Sequence, residues 1–300
     1  MSEAVAWVTG PRGFIGQHLC ARLSGSGTKV IGFGRHQSTE YNLDSDGFLR
    51  ALAEHGVPDR IFHLAGGATV GQSIVDPFYD FQSNVVTTAL LLDAVREHCP
   101  STPIVMGSSA AVYGNGHLDE IDTTSPINPS SPYGYHKYMA ETIVRGHAEI
   151  FGLRVTVVRL FSIYGSGLRK QLLFDICTRL AAGRTTLMLS GTGEERRDWC
   201  HVSDAVTAMC QVEAPELGIP QVFNLGSGKP TTIRAIAEAL RTVWRQDFEI
   251  EFSGVSRQGD PFSLMAAKSS MPLNFAPNVP LVQGLGHYVD WFRQLGGTGR

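Results

Sequence analysis

The chain has 300 residues, 43% hydrophobic and 18% charged: enough apolar material for a sizeable core and too few charges for a disordered chain. A net charge of -3 and a pI near 6.4 argue against an electrostatic nucleic-acid binder. There is no run of about 18 apolar residues and no basic start of a signal peptide, so neither a membrane partner nor export is expected and the location read from the sequence is cytoplasmic.

Residues 4–9 read as a strand, 14–23 as a helix and 29–34 as a second strand. A helix over 48–55, a strand over 60–65 and a long helix over 85–98 follow, then a strand over 104–108, a helix over 133–151 and a strand over 154–160. Continuous apolar strands alternating with helices mean a parallel sheet covered on both faces. Such a sheet binds its ligand beyond the carboxyl ends of its strands. After residue 165 the rhythm weakens, with helices over 170–182, 233–244 and 279–295 and short strands over 197–201 and 221–225. Cys20, Cys99, Cys177, Cys200 and Cys210 form no C-x-x-C pair and no zinc spacing with histidine, so no metal is expected.

Thr9-Gly10-Pro11-Arg12-Gly13-Phe14-Ile15-Gly16 lies between the first strand and the first helix. Gly10 permits the tight turn, Gly13 lets the backbone approach a pyrophosphate, and Gly16 allows close helix–strand packing. Phe14 and Ile15 open the helix, whose N-terminus offers N–H groups to the phosphates. The pattern predicts an α/β Rossmann fold, a doubly wound parallel sheet. Residues 1–165 form the dinucleotide domain, with return segments near 200–226, and residues 166–300 mostly form a smaller substrate-binding lobe. The second strand ends at Gly34 and Arg35, where an acidic residue would select NAD. Arg35 and Arg12 suit a 2′-phosphate, so NADP (as NADPH) is favoured over NAD. Asn42 and Leu43 are candidates for the adenine side.

Tyr133 and Lys137 stand at i and i+4 and would share one helix face. A tyrosine titrates near 10, and a nearby ammonium is expected to lower that value. The pair could then move a proton on a sugar hydroxyl while hydride passes to or from a nicotinamide. Upstream, Ser109 follows a predicted strand and could bond the reacting oxygen.

With these motifs the chain resembles the extended short-chain dehydrogenase/reductase family, the NAD(P)-dependent nucleotide-sugar epimerases, dehydratases and reductases. The resemblance runs through residues 9–16, 63–66, 69–73, Asn84, 108–114, 131–137, 159–165, 197–199, 201–204, 224–228 and 257–260. It implies a triad of Ser109, Tyr133 and Lys137. It places Leu64, Ala65, Gly66, Ser108 and Leu160 beside the cofactor together with Tyr133 and Lys137, the lysine also binding the nicotinamide ribose. On the substrate side it implies Val70, Ser109, Ser162, Gln171 and Leu172, with Arg197 and Arg257 for the diphosphate. Ser162 and Gln171 stand where the family often has asparagine. The family often forms homodimers through two helices per subunit, here those over 85–98 and 133–151.

The family's dehydratases carry an acidic pair where this chain has Ala110 and Ala111, so dehydration is not expected. The reading placed first is an NADPH-dependent 4-keto-reductase of a nucleotide-linked 4-keto-6-deoxy sugar, a step of glycan or sugar-nucleotide biosynthesis. An NAD-dependent nucleotide-sugar 4-epimerase is the alternative. A nicotinamide-binding sensor without turnover comes last, because Tyr133 and Lys137 are both present.

Overall fold

The computed structural model describes residues 3–34, 39–67, 69–255 and 261–297. The chain divides into two compact units. The first comprises residues 1–114, 123–160 and 206–225, and the second residues 115–122, 161–205 and 226–300.

The first unit is a seven-stranded parallel sheet. Its strands are β1 Val5–Thr9, β2 Lys29–Gly34, β3 Tyr41–Asn42, β4 Arg60–His63, β5 Ile104–Ser109, β6 Val155–Leu160 and β7 Gln221–Leu225. They lie in the order β7-β6-β5-β4-β1-β2-β3. This is the doubly wound α/β arrangement expected from the sequence, with the order reversing between β1 and β4. The helices of this unit are α1 Phe14–Gly25, α2 Ser45–His55, α3 Val70–Val75, α4 Pro77–Phe81, α5 Thr87–His98, α6 Pro132–Phe151 and the greater part of Val202–Gln211.

Local chemistry sets the helix ends. Asp44 accepts from the Gly47 N–H at 2.8 Å, so α2 starts one turn before its apolar stripe. Ser131 caps α6 through the Gly134 N–H, Pro132 takes the first turn, and Gly152 ends the helix in the left-handed region at φ 71°. The helix expected over 85–98 is entered by a π turn, Gln82–Val86, before α5 proper. Trp7, Phe33 and Phe48 form one aromatic cluster, with centroids 4.9 Å apart for Trp7–Phe33 and for Phe33–Phe48, which seats α2 on β1 and β2. Truncating such a ring to alanine costs about 3–5 kcal/mol.

In the second unit, Arg196–His201 pairs in parallel with Ser162–Tyr164 and Ser263–Leu264 and antiparallel with Pro230–Thr232. Asp198 is fully buried there and accepts from Ser227 Oγ at 2.7 Å and from the N–H groups of Ser227, Gly228 and Ala266. Its helices are Gln171–Ala181, Ile233–Trp244 and Leu281–Gly297. Among the described residues no helix is long and apolar enough to cross a membrane.

Candidate active site

The carboxyl ends of β1 and β4, the two strands at the reversal, open on a cavity of about 330 Å³ within the first unit. Gly10, Arg12, Gly13, Leu43, Leu64, Ala65 and Gly66 line it, all expected from the sequence. Pro11, Gly34, Thr39, Tyr79, Ser83 and Thr87 line it as well.

Two glycines set the close approach of the loop. Gly10 has φ +69°, and a Cβ on it would lie 2.9 Å from the Ala65 nitrogen. A Cβ on Gly16 would run into the Gly10 carbonyl oxygen. Gly13 caps α1 with no side-chain bond, which leaves the helix N-terminus open to an anion. Phe14 and Ile15 form the first turn of α1 and do not line the cavity.

A directional hydrogen-bond chain ties the loop to the sheet. The N–H groups of Leu64 and Ala65 donate to Thr9 Oγ1 at 3.1 and 3.0 Å. Thr9 Oγ1 in turn donates to His63 Nδ1 at 2.8 Å. His63 Nε2 donates to Thr88 Oγ1 at 3.0 Å, and Thr88 donates to the Asn84 carbonyl at 2.6 Å. Burial, seconded by the charge of Lys137, pushes His63 down to about 3, so the ring is neutral and its tautomer fixed.

Ser109 and Lys137 flank Tyr133. Ser109 ends β5 and pairs in register with Leu160. The Tyr133 hydroxyl is hydrogen-bonded to Ser109. The Tyr133 backbone N–H donates to Ser73 Oγ at 3.0 Å, which anchors α6 to α3. Lys137 Nζ donates to the Gly107 carbonyl at 3.1 Å, and a Cβ on Gly66 would lie 3.2 Å from that nitrogen. The lysine therefore reaches the wall of the cavity. The absent side chain at Gly107 admits Leu64 and Leu160, whose methyl carbons would lie 2.9 and 3.7 Å from a Cβ there.

The electrostatics differ from the sequence expectation. Burial pushes Tyr133 up to about 12, Ser109 opposing and the charge of Asp80 adding to the rise. Burial lowers Lys137 to about 8, with Asp80 and Glu141 opposing. The lowering expected from Lys137 is not among the effects on Tyr133, whose rise follows from burial that cuts the phenol off from water.

Ser108, expected beside the cofactor, commits its hydroxyl to Glu141 at 2.5 Å. Glu141 also receives Arg159 Nη2 at 2.7 Å, and both side chains are 2% exposed. Arg159 Nη1 donates to Tyr113 Oη at 2.7 Å, and Tyr113 donates to Asn224 at 2.7 Å. Glu141 lies one turn beyond Lys137 on α6; no motif singled it out, and its i+4 spacing from the lysine is the signal that could have found it. Asn84, quoted among the family motifs without a role, is buried in the π turn. Its Oδ1 has no partner among the described residues, and a Cβ on Gly66 would lie 2.5 Å from it.

Other expected residues lie elsewhere. Asn42 is an exposed residue of β3 outside the cavity lining, while Leu43 is buried and donates its N–H to Gly34 at 3.1 Å. Val70 opens α3 behind the Thr69 cap. Ser162, Gln171, Leu172 and Arg197 belong to the second unit. Gln171 opens its helix at φ 66°, uncommon for a residue with a side chain. Arg197 donates to the Arg196 carbonyl at 2.8 Å. Arg35 and Arg257 lie outside the described residues.

Comparison with known proteins agrees with this geometry. The model of the NAD dependent epimerase/dehydratase family matches residues 6–226. UDP-glucose 4-epimerase of Mycolicibacterium smegmatis is 30% identical over 95% of this chain and 97% of its own length. The solved UDP-glucose 4-epimerase of Thermotoga maritima, with UDP-glucose, has a TM-score of 0.86 at 26% identity, over 97% of this chain and 99% of that one. MoeE5 in complex with UDP-glucuronic acid and NAD has a TM-score of 0.84 at 26% identity, over 97% of this chain and 100% of that one. By its motifs, its seven-stranded parallel sheet and these matches, the chain belongs to the NAD-dependent epimerase/dehydratase family of enzymes, within the extended short-chain dehydrogenases/reductases.

Proposed function

We propose that the chain is a nucleotide-sugar 4-epimerase that keeps NAD bound, the alternative of the sequence reading rather than its NADPH-dependent reductase. The observation that carries this is the Tyr133 hydroxyl on Ser109, with Lys137 at the Gly66 wall of the glycine-loop cavity. Ala110 and Ala111 place no carboxylate after Ser109, which speaks against dehydration. The relative from Mycolicibacterium smegmatis is a UDP-glucose 4-epimerase, and MoeE5 is solved with NAD. Both favour epimerisation with NAD over reduction with NADPH.

The residues present fit a dinucleotide. Gly10, Arg12 and Gly13 would hold the pyrophosphate, Leu43 the adenine side, and Leu64, Ala65, Gly66, Leu160 and Lys137 the nicotinamide half. Asn84 Oδ1, buried without a partner, is an acceptor open to a ligand donor. Bound NAD supplies a hydride acceptor and a positive ring whose charge favours the phenolate. Tyr133 then takes the proton of the C4 hydroxyl and gives it back after the keto-sugar has turned over. Ser109 orients the reacting oxygen, and the Lys137 ammonium favours the phenolate. Val70 in the first unit, and Ser162, Gln171, Leu172 and Arg197 in the second, are assigned to the nucleotide sugar, making the second unit the substrate lobe. The test is to incubate the purified protein with UDP-hexoses and no added cofactor, following the anomeric protons by NMR. Interconversion of C4 epimers is expected. Stoichiometric NADPH consumption with a 4-keto-6-deoxy sugar, and no interconversion, would contradict the reading.

The partner proposed for the apolar faces of α5 and α6 is a second copy. Val86 and Leu90 on one side, and Met139, Ile150 and Phe151 on the other, leave 36–75% of their surfaces exposed. Light scattering on the eluted protein should give twice the chain mass of 32.6 kDa; the single mass would exclude a dimer.

A further inference from the structure

We infer that Asp80 and His136 form a positioning pair for the reaction centre: His136 clamps a buried carboxylate at the Gly66–Gly67 turn, where its negative charge acts on Lys137 and Tyr133 together. The inference rests on the reading of Tyr133 and Lys137 as acid–base groups.

The geometry is specific. Asp80 lies in α4, is 2% exposed, and takes a hydrogen bond from His136 Nδ1 through Oδ2 at 2.7 Å. The His136 ring stands edge-on to Phe81 at 5.6 Å, so it is held from two sides. The other oxygen, Oδ1, rests on the turn after β4, where a Cβ on Gly67 would overlap it. Its neighbour Gly66 abuts Lys137 Nζ on the same turn. His136 immediately precedes Lys137 in α6, so one helical turn carries both the clamp and the lysine. Residue types alone give no reason to bury a carboxylate here, and such burial is costly unless the charge is used or paired.

The charge has two targets. It raises Lys137 against the lowering by burial, and it raises Tyr133 in the same direction as burial. The other titratable groups at this junction are Glu141 on α6, which also raises Lys137, and His63 on β4, which is held neutral. Glu141 is paired with Arg159, so Asp80 is the acidic group that acts on both members of the pair. Removing its charge must therefore lower Tyr133 and Lys137 together. Loss of packing alone would lower the rate without moving either titration.

The test compares wild type with Asp80→Asn in the pH dependence of kcat for sugar interconversion. Both limbs are expected to move to lower pH, by roughly one unit. A reduced rate with both limbs in place would overturn the inference. His136→Gln keeps a side-chain donor toward Asp80 and should shift the limbs less than Asp80→Asn; an equal or larger shift would count against the clamp. Two readouts need no turnover and keep the inference separate from the proposed activity. Long-range nitrogen NMR of the wild type should show His136 as the Nδ1–H tautomer, and the Nε2–H tautomer would overturn the pair even if Asp80→Asn fails to fold. The Lys137 side-chain titration, followed by carbon NMR, should fall in Asp80→Asn; an unchanged midpoint would also overturn it. Absence of interconversion in the wild type would sink the epimerase reading and leave these two measurements standing.

Discussion

Lys137 Nζ donates to the carbonyl of Gly107, two residues before Ser109 on the same strand. The lysine is thus held by the strand that carries the serine, and α6, which carries Tyr133, is pinned to β5 at the reaction centre. Tyr133 is fixed independently, through its backbone on Ser73 and its hydroxyl on Ser109. Three contacts, two with β5 and one with α3, therefore hold the phenol and its helix, and each can be loosened separately.

Tyr133→Phe removes only the proton carrier. Turnover is expected to fall by about 10²–10⁴-fold, with NAD binding retained. Wild-type-like turnover, measured by the same NMR assay, would sink the mechanism.

The pH dependence follows from the lowered lysine. Lys137 titrates at about 8, and its ammonium is the form that supports the phenolate. Tyr133 itself titrates higher, so the phenolate fraction, and with it activity, should rise with pH up to about 8 and then level off as the ammonium is lost. A kcat that went on rising from about pH 8 to 10 would show that the charge on Lys137 is not used.

His63 makes a stability prediction with a defined sign. Its folded value, about 3, lies below the ordinary 6.5. Below pH 6.5 the unfolded chain binds a proton that the folded chain refuses. The contribution of the neutral ring is thus complete above 6.5 and is lost as pH falls toward 3. Urea unfolding at pH 7.5 and 5 should show a steeper loss for wild type than for His63→Gln. Parallel losses would contradict the neutral, buried ring.

Glu141→Ala leaves Arg159 buried without its carboxylate. Removing one partner of a buried pair costs about 3–5 kcal/mol, so a large fall in the urea midpoint is expected. An unchanged midpoint would mean that Tyr113 and the Thr123 carbonyl, which Arg159 also reaches, suffice to hold the guanidinium.

Gly10→Ala is expected to abolish NAD binding, because the positive φ and the approach to Ala65 leave no room for a methyl group. Calorimetric titration with NAD checks this, and wild-type affinity would remove the glycine loop from the cofactor site.

Much of this was legible in the sequence. The strands of the parallel sheet read as continuous apolar runs because both faces are covered, and β2, β7 and the helix Ile233–Trp244 fall at the expected residues. The glycine loop and the Tyr133–Lys137 spacing are local patterns, so they pointed to the site directly. The π turn before α5 did not show, since its apolar spacing continues that of the helix. Helices α3 and α4 are too short to set a period. Ser73 and Asp80 act on α6 from about 60 residues away, and no spacing rule reports such contacts. Ser108, the last residue of a predicted strand, is placed beside the cofactor by the resemblance, yet it is spent on Glu141, a partner 33 residues away.

The most direct test of the central claim is the fate of the hydrogen at C4. Purified protein would be given a UDP-hexose carrying deuterium at C4, with unlabelled NADPH in solution, and the epimeric product analysed by mass spectrometry. An epimerase that keeps its NAD returns the same deuteron to the opposite face, so the product should retain the label in full. A product carrying hydrogen from the added NADPH would contradict a cofactor that stays bound, and no epimeric product at all would contradict the epimerase itself.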